Sequence, residues 1–175
     1  LPSVQTSRLW KLHKPRGVIT SRRDERGRPT IYDLLPPEHR NLHYIGRLDY
    51  NSEGLLLLTN DPALKRKWEL PESGLARRYR VRILGEPAPE TLKQIRKGVT
   101  IDGIRYQGME VEVETMPGRN KWIRVTLREG KNREIRRVFE HFGHSVSRLI
   151  RTHYGDCALG NLEAGKLEEL ACHPN

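Results

Sequence analysis

The sequence predicts an α+β protein built on a long, mostly antiparallel mixed sheet with about three flanking helices. Three observations carry this. Runs alternating polar and apolar residues recur, RYRVRIL at 78–84 being the clearest, and a strand's period of two produces that pattern. The run GLLLLT at 54–59 is short, continuous and apolar, as a strand covered on both faces should be. Asp102-Gly103, between the apolar pieces 99–101 and 104–106, is the strongest hairpin signal in the chain.

From the start, 8–12 followed by KPRGVIT reads as strand, turn, strand, with Pro15 and Gly17 supplying the bend. SRRDERGRPT at 21–30 is a charged loop, and 31–35 a short helical turn stopped by Pro36-Pro37. Tyr44-Ile45 leads into the leucine strand. Asn60-Asp61-Pro62 then caps a helix over 62–69. An amphipathic helix over 89–97 turns Leu92 and Ile95 inward and ends at Gly98. Strands over 109–115 and 121–127 are joined by the MPGRN turn. Ile135, Val138, Phe139 and Phe142 recur at helical spacing within 132–142, a strand follows over 146–151, and 155–170 is loop with short extended pieces.

A formal charge of +10 over 175 residues points to a polyanion as partner, the alternative being an ordinary basic surface. The charge is clustered. Residues 8–28 hold eight Lys and Arg against Asp24 and Glu25, and 119–137 hold eight against Glu129 and Glu134. Trp10, Tyr79, Tyr106 and Trp122 alternate with these clusters, which suits phosphate contacts combined with stacking on unpaired bases. Cys157 and Cys172 make no disulfide framework, and no segment reads as a membrane span, so the expectation is a cytoplasmic protein. His153 with Cys157, and Cys172-His173, fall short of a zinc signature; no metal is expected.

GRLDYNSEGLLLLTND, 46–61, raises the question of chemistry: it displays a carboxylate, Asp49, in a loop just before a buried strand of a basic protein. An Asx turn is the ordinary role for such an aspartate, and Glu53 could serve a turn as well as acid–base work. Arg47 beside Asp49 would favour its ionised form, which suits a nucleophile or base near neutral pH. GKNREIRR at 130–137 could simply grip phosphate at a helix start.

Those stretches, with RYRV at 78–81, KPRG, GRPT and LREGKNREIRRVFEHFGHSVSRLIRTHYGD at 127–156, resemble the RsuA/RluB family of pseudouridine synthases. RLIR-x-x-YGD and W-I-x-V-T-L-x-E-G resemble its RluB branch, which modifies large-subunit ribosomal RNA. The resemblance covers about 10–170. It implies the pseudouridine synthase fold with a central basic cleft, no cofactor, and a ribosomal RNA partner, either naked or within a precursor subunit, bound by a monomer.

It also implies roles. Asp49 matches the essential aspartate. Arg47 matches the arginine that helps flip the nucleotide and pairs with that aspartate. Tyr79 matches the tyrosine that stacks on uracil, and Ile135 with Arg136 the pair that closes the pocket. Lys131, Asn132 and Arg133 match the RNA-contacting loop before the helix. Most relatives in this resemblance carry an S4 RNA-binding domain ahead of the catalytic domain. Residues 1–7 resemble the linker that would follow it, so the expectation is a catalytic domain over 8–171, as two lobes sharing one sheet, with a tail at 172–175. The rival expectation is a non-catalytic RNA-binding protein of ribosome assembly.

Overall fold

The computed structural model describes residues 6–70, 73–114, 117–118 and 120–171. Most of the expected linker, Cys172-His173, the tail, and Met116 and Arg119 of the MPGRN turn lie outside them. The strands are β1 Leu9–Lys14, β2 His43–Ile45, β3 Glu53–Thr59, β4 Arg77–Leu84, β5 Gly98–Ile101, β6 Ile104–Gln107, β7 Glu110–Val113, β8 Asn120–Leu127, β9 Val146–Tyr154, β10 Cys157–Ala158 and β11 Leu167–Leu170. The helices are α1 Pro62–Glu69, α2 Pro89–Lys97 and α3 Glu134–His141, and two short 3-10 turns lie at Ile31–Leu34 and Pro37–His39.

Nine strands form one mixed sheet along the path β11-β1-β3-β9-β4-β8-β7, with β2 on β3 and β10 on β9; β5 and β6 make a separate hairpin. Every described strand pairing is antiparallel except β3 with β9. Leu55 to Leu58 are fully buried, so both faces of β3 are covered, as its unbroken apolar run requires. Each such leucine contributes roughly 1.5–3 kcal/mol through burial. Leu56 and Leu58 enter a cluster with Trp10, Ile31 and Leu48, while Leu55 and Leu57 enter one on the opposite face with Trp68 and Tyr154. A third cluster packs Tyr79, Val81 and Ile83 of β4 against Ile135, Val138 and Phe139 of α3. Leu149 joins this third cluster and Ile150 the Trp68 cluster, so α3 lies on the same sheet face as Leu48.

Local chemistry sets the boundaries. The Asp61 carboxylate caps α1 by accepting from the Ala63 amide at 2.9 Å, with Pro62 as first residue. Asp102 and Gly103 both have positive φ, 50° and 78°, as a two-residue primed turn demands. Three expectations need correction. Val18 to Thr20 form no strand, only a parallel bridge from Ile19 to Thr30. β9 runs on to Tyr154, since Arg77 and Arg78 of β4 still pair with it there. α3 starts at Glu134 because Arg133 is left-handed, φ 50° and ψ 35°, and breaks the helical path.

The parallel join falls at Gly54, paired with Lys14 on one side and Arg151 on the other. Its φ is 109°, and a Cβ there would sit 2.2 Å from the Arg151 carbonyl oxygen and 2.7 Å from its nitrogen. Backbone on both sides cannot yield cheaply. Gly54→Ala is therefore expected to lower stability by at least about 2–3 kcal/mol, read as a fall in the urea midpoint, whereas Gly27→Ala, which meets no neighbour, should cost about 1 kcal/mol or less.

Candidate active site

Residues 46–52 connect β2 to β3, and their conformation is held from below. The Thr20 hydroxyl donates to the Leu48 carbonyl at 2.9 Å and accepts from the Leu48 amide at 3.3 Å. Leu48 itself is buried in the Ile31 cluster. The Ser52 amide donates to the Asp49 carbonyl at 3.0 Å and closes the turn. Gly17, in the KPRG turn, donates its amide to the Tyr50 carbonyl at 2.9 Å. Asp49 is thus carried on a fixed turn with its side chain 39% exposed.

Beneath that turn lies Lys14, with no exposed surface. Its ammonium donates to the carbonyls of Ser52 at 2.8 Å, Pro15 at 3.0 Å and Tyr50 at 3.4 Å. Burial brings the ammonium down to about 8, opposed by the negative charges of Asp49 and Glu53. The only sequence signal for this role was the KPRG element. The burial of Lys14 follows from the pairing with Gly54, and a buried ammonium needs the acceptors that the turn supplies.

From the other side comes the start of α3. Arg133 Nη1 stands 3.4 Å from Asp49 Oδ2. Arg136 is buried, and its guanidinium donates to the Asn51 and Val146 carbonyls, both at 3.4 Å. Burial and then the Arg133 charge press the Arg136 guanidinium below its ordinary value, and the Asp49 charge works against them. The carboxylate therefore sits among three cations, one in contact and two near enough to feel its field.

The remaining expected site residues divide. Tyr79 and Ile135 share the cluster under α3, Tyr79 with 9% of its surface exposed. Arg47 is exposed and makes no ion pair with Asp49; Arg133, expected as an RNA contact, takes that place. Lys131 is engaged by Glu129 and stands over the Tyr106 ring, and Asn132 is exposed. Glu53 is neither a cap nor an acid at the site. Its carboxylate receives both Nη2 and Nε of Arg148, at 2.8 and 3.1 Å, tying β3 to β9. The two described surface concavities, one around Leu84 and Lys121 and one around Ile101 and Arg137, do not include Asp49. Among the described residues no three His, Cys, Asp or Glu side chains gather as metal ligands.

The chain as a whole has counterparts among known proteins. Residues 8–141 match the family model described as RNA pseudouridylate synthase. The chain belongs to that family. An uncharacterised RNA pseudouridine synthase of Rickettsia bellii is 49% identical over 96% of this chain and 72% of its own length. Ribosomal large subunit pseudouridine synthase B of Pasteurella multocida is 39% identical over 95% of this chain, which spans 49% of that protein. A crystal structure of a pseudouridylate synthase superposes with a TM-score of 0.85 at 26% identity, covering 98% of this chain and 73% of that one. The chain is a pseudouridine synthase with that fold.

The buried lysine gives a test of the synthase's loop support. Its folded value, about 8, lies below the ordinary lysine value, so the folded state binds fewer protons than the unfolded one between them. This contribution makes stability rise as pH climbs from about 8 toward 10. Lys14→Met should remove that rise from the difference between wild-type and variant melting curves. It should also lower turnover at neutral pH by about tenfold, because three loop carbonyls lose their donor. Identical pH dependence in the two proteins would refute the assignment.

Proposed function

We propose that this synthase isomerises a uridine of large-subunit ribosomal RNA, with Asp49 as the catalytic carboxylate. The observation that carries it is the Asp49 turn, braced by Lys14 and Thr20 and faced by Arg133 and Arg136 at the start of α3. A protein that only bound RNA would gain nothing from displaying a carboxylate among its cations, since it repels phosphate. The name of the Pasteurella relative supports the choice of ribosomal RNA.

The reaction breaks the bond from C1′ to N1, turns the uracil, and joins C5 to C1′, with the C5 proton passing to solvent and N1 taking one up. Asp49 attacks the sugar or the base, or removes a proton on the 2′ side; each route needs one carboxylate and no cofactor. The target base must leave its stack at a cost of a few kcal/mol. In this reading Tyr79 receives the flipped uracil, Arg47, exposed at the rim, occupies the vacated position, and Ile135 with Arg136 closes the pocket. Lys131, Asn132 and Arg133 contact the phosphates of a basic cleft. Residues 8–171 form the catalytic domain, working as a cytoplasmic monomer on naked RNA or on a precursor subunit. No described helix is long and apolar enough to cross a membrane.

The experiment is tritium release from ribosomal RNA labelled at uracil C5, on naked RNA and on precursor subunits. Asp49→Asn should abolish release, a fall of at least about 10⁴-fold for loss of the reacting group, while RNA affinity changes by less than about threefold. Release that survives in the variant would remove Asp49 from the chemistry. Binding should weaken steeply between low and physiological salt, as several neutralised phosphates require. A flat salt dependence would overturn the basic-cleft part of the reading.

A further inference from the structure

The segment Glu129–Arg133 carries Arg133 from β8 to Asp49, and what fixes it is a pair of carboxyl groups that the reaction does not use. Glu134, first residue of α3, has only 3% of its surface exposed. Its Oε1 accepts from the Lys131 amide at 3.1 Å, and the Glu134 amide donates to the Lys131 carbonyl at 3.2 Å. Its Oε2 is buried with no donor among the described residues. A second carboxyl, that of Glu129, is near enough for its hydrogen bonding and its charge both to act on Glu134. Glu129 is already supplied with donors: the Gln107 amide at 3.0 Å on Oε2 and the Lys131 ammonium on Oε1.

Two carboxylates cannot hydrogen-bond each other unless one carries a proton. The more buried partner, with one donor where Glu129 has two, is the one that carries it. Burial is the largest cause and the Glu129 hydrogen bond and charge follow, and together they bring Glu134 up to about 8. The surrounding charges agree. Lys131 is committed to Glu129, Arg137 of α3 reaches the Tyr106 hydroxyl at 3.4 Å, and the Arg77 guanidinium of β4 lies against Gly130. None of these donates to Glu134.

We propose that Glu134 is a positioning residue: as a neutral acid it donates to Glu129, clasps the 129–133 segment, and so sets Arg133 against Asp49. The strain at Arg133 fits. A non-glycine residue in the left-handed region is strained and persists only where its neighbours hold it. The clasp at 129 and 134 holds the residues on either side. The inference rests on Asp49 being the catalytic group, as proposed above.

The sign follows from the raised value. The clasp is complete at pH below about 8 and opens as pH rises through it, when two adjacent carboxylates repel. Lys14 also loses its proton near there. The wild-type kcat for tritium release should therefore fall above pH 8 with the steepness of two ionisations.

The test uses Glu134→Gln, which keeps shape and donor but cannot ionise, beside Glu134→Ala and Asp49→Asn. Glu134→Gln should hold kcat within about twofold at neutral pH and show a shallower, single-ionisation fall in alkali. Glu134→Ala, checked for folding by its melting curve, should lose about tenfold in kcat as the hydrogen bond goes. Infrared difference spectra should show a protonated carboxyl band in the wild type at neutral pH that Glu134→Gln removes. A Glu134→Gln pH profile that overlays the wild type, or a wild type without that band, overturns the clasp. If Asp49→Asn still releases tritium, the catalytic reading fails instead, whatever the Glu134 variants do.

Discussion

The structure depends on one close approach, the parallel contact of β3 with β9 at Gly54. Antiparallel hairpins could build either half of the sheet alone: β1, β2, β3 and β11 on one side, β4, β7, β8 and β9 on the other. Among the described strands, the halves pair only at Glu53 and Gly54, with Ile150 and Arg151. The absence of a Cβ at Gly54 lets the strands meet, and the Glu53–Arg148 ion pair fastens the same point from its side chains. Arg151, itself buried, adds a bond from Nε to the Leu55 carbonyl at 2.8 Å. Because Asp49 belongs to one half and α3 to the other, this seam decides how far the carboxylate stands from its arginines.

Around the seam the protein buries ionisable side chains that a simpler core would avoid. Lys14, Arg136, Arg151 and Glu134 are all nearly free of solvent contact, and each is engaged with backbone oxygen or nitrogen. Burying an ion is costly unless partners surround it. Here the partners are main-chain groups of the segments that need fixing: 50–52, 55 and 131. The buried side chains spend their hydrogen-bonding capacity on loop geometry. Arg47, by contrast, is exposed and makes no ion pair with Asp49.

Much of this was legible in the sequence where one residue type answers to one local demand. The cap and bounds of α1, the glycine stop of α2, the Asp102-Gly103 hairpin and the doubly buried leucine strand all came out as their residues imply. The family motifs also marked Asp49 and the start of α3. What stayed hidden depends on distant segments meeting. Nothing near Arg47 or Asp49 tells that Arg133, 84 positions on, makes the contact. Nor does the helical spacing of Ile135 to Phe142 reveal that Arg133 turns left-handed and delays α3. Glu53 looked chemical because it follows Asp49 by four residues, but its partner is 95 positions away. Lys14 read as part of a turn because burial is a property of the assembled sheet.

The edge strands extend this dependence on distance into time. β1 opens the sheet, yet its outer side is covered by β11 at the far end of the chain, with Leu9 opposite Leu170 and the Arg8–Glu169 pair spanning 161 positions. Long-range pairings of this kind are slow to form, because the loop must close before any contact rewards it. During synthesis the leucine strand emerges about a hundred residues before β9, which must lie against it. Until β9 has been made, the Glu53–Gly54 end of that strand lacks its partner on this side. Asp49 and the arginines at the start of α3, which the seam brings together, can meet only after β9 has joined.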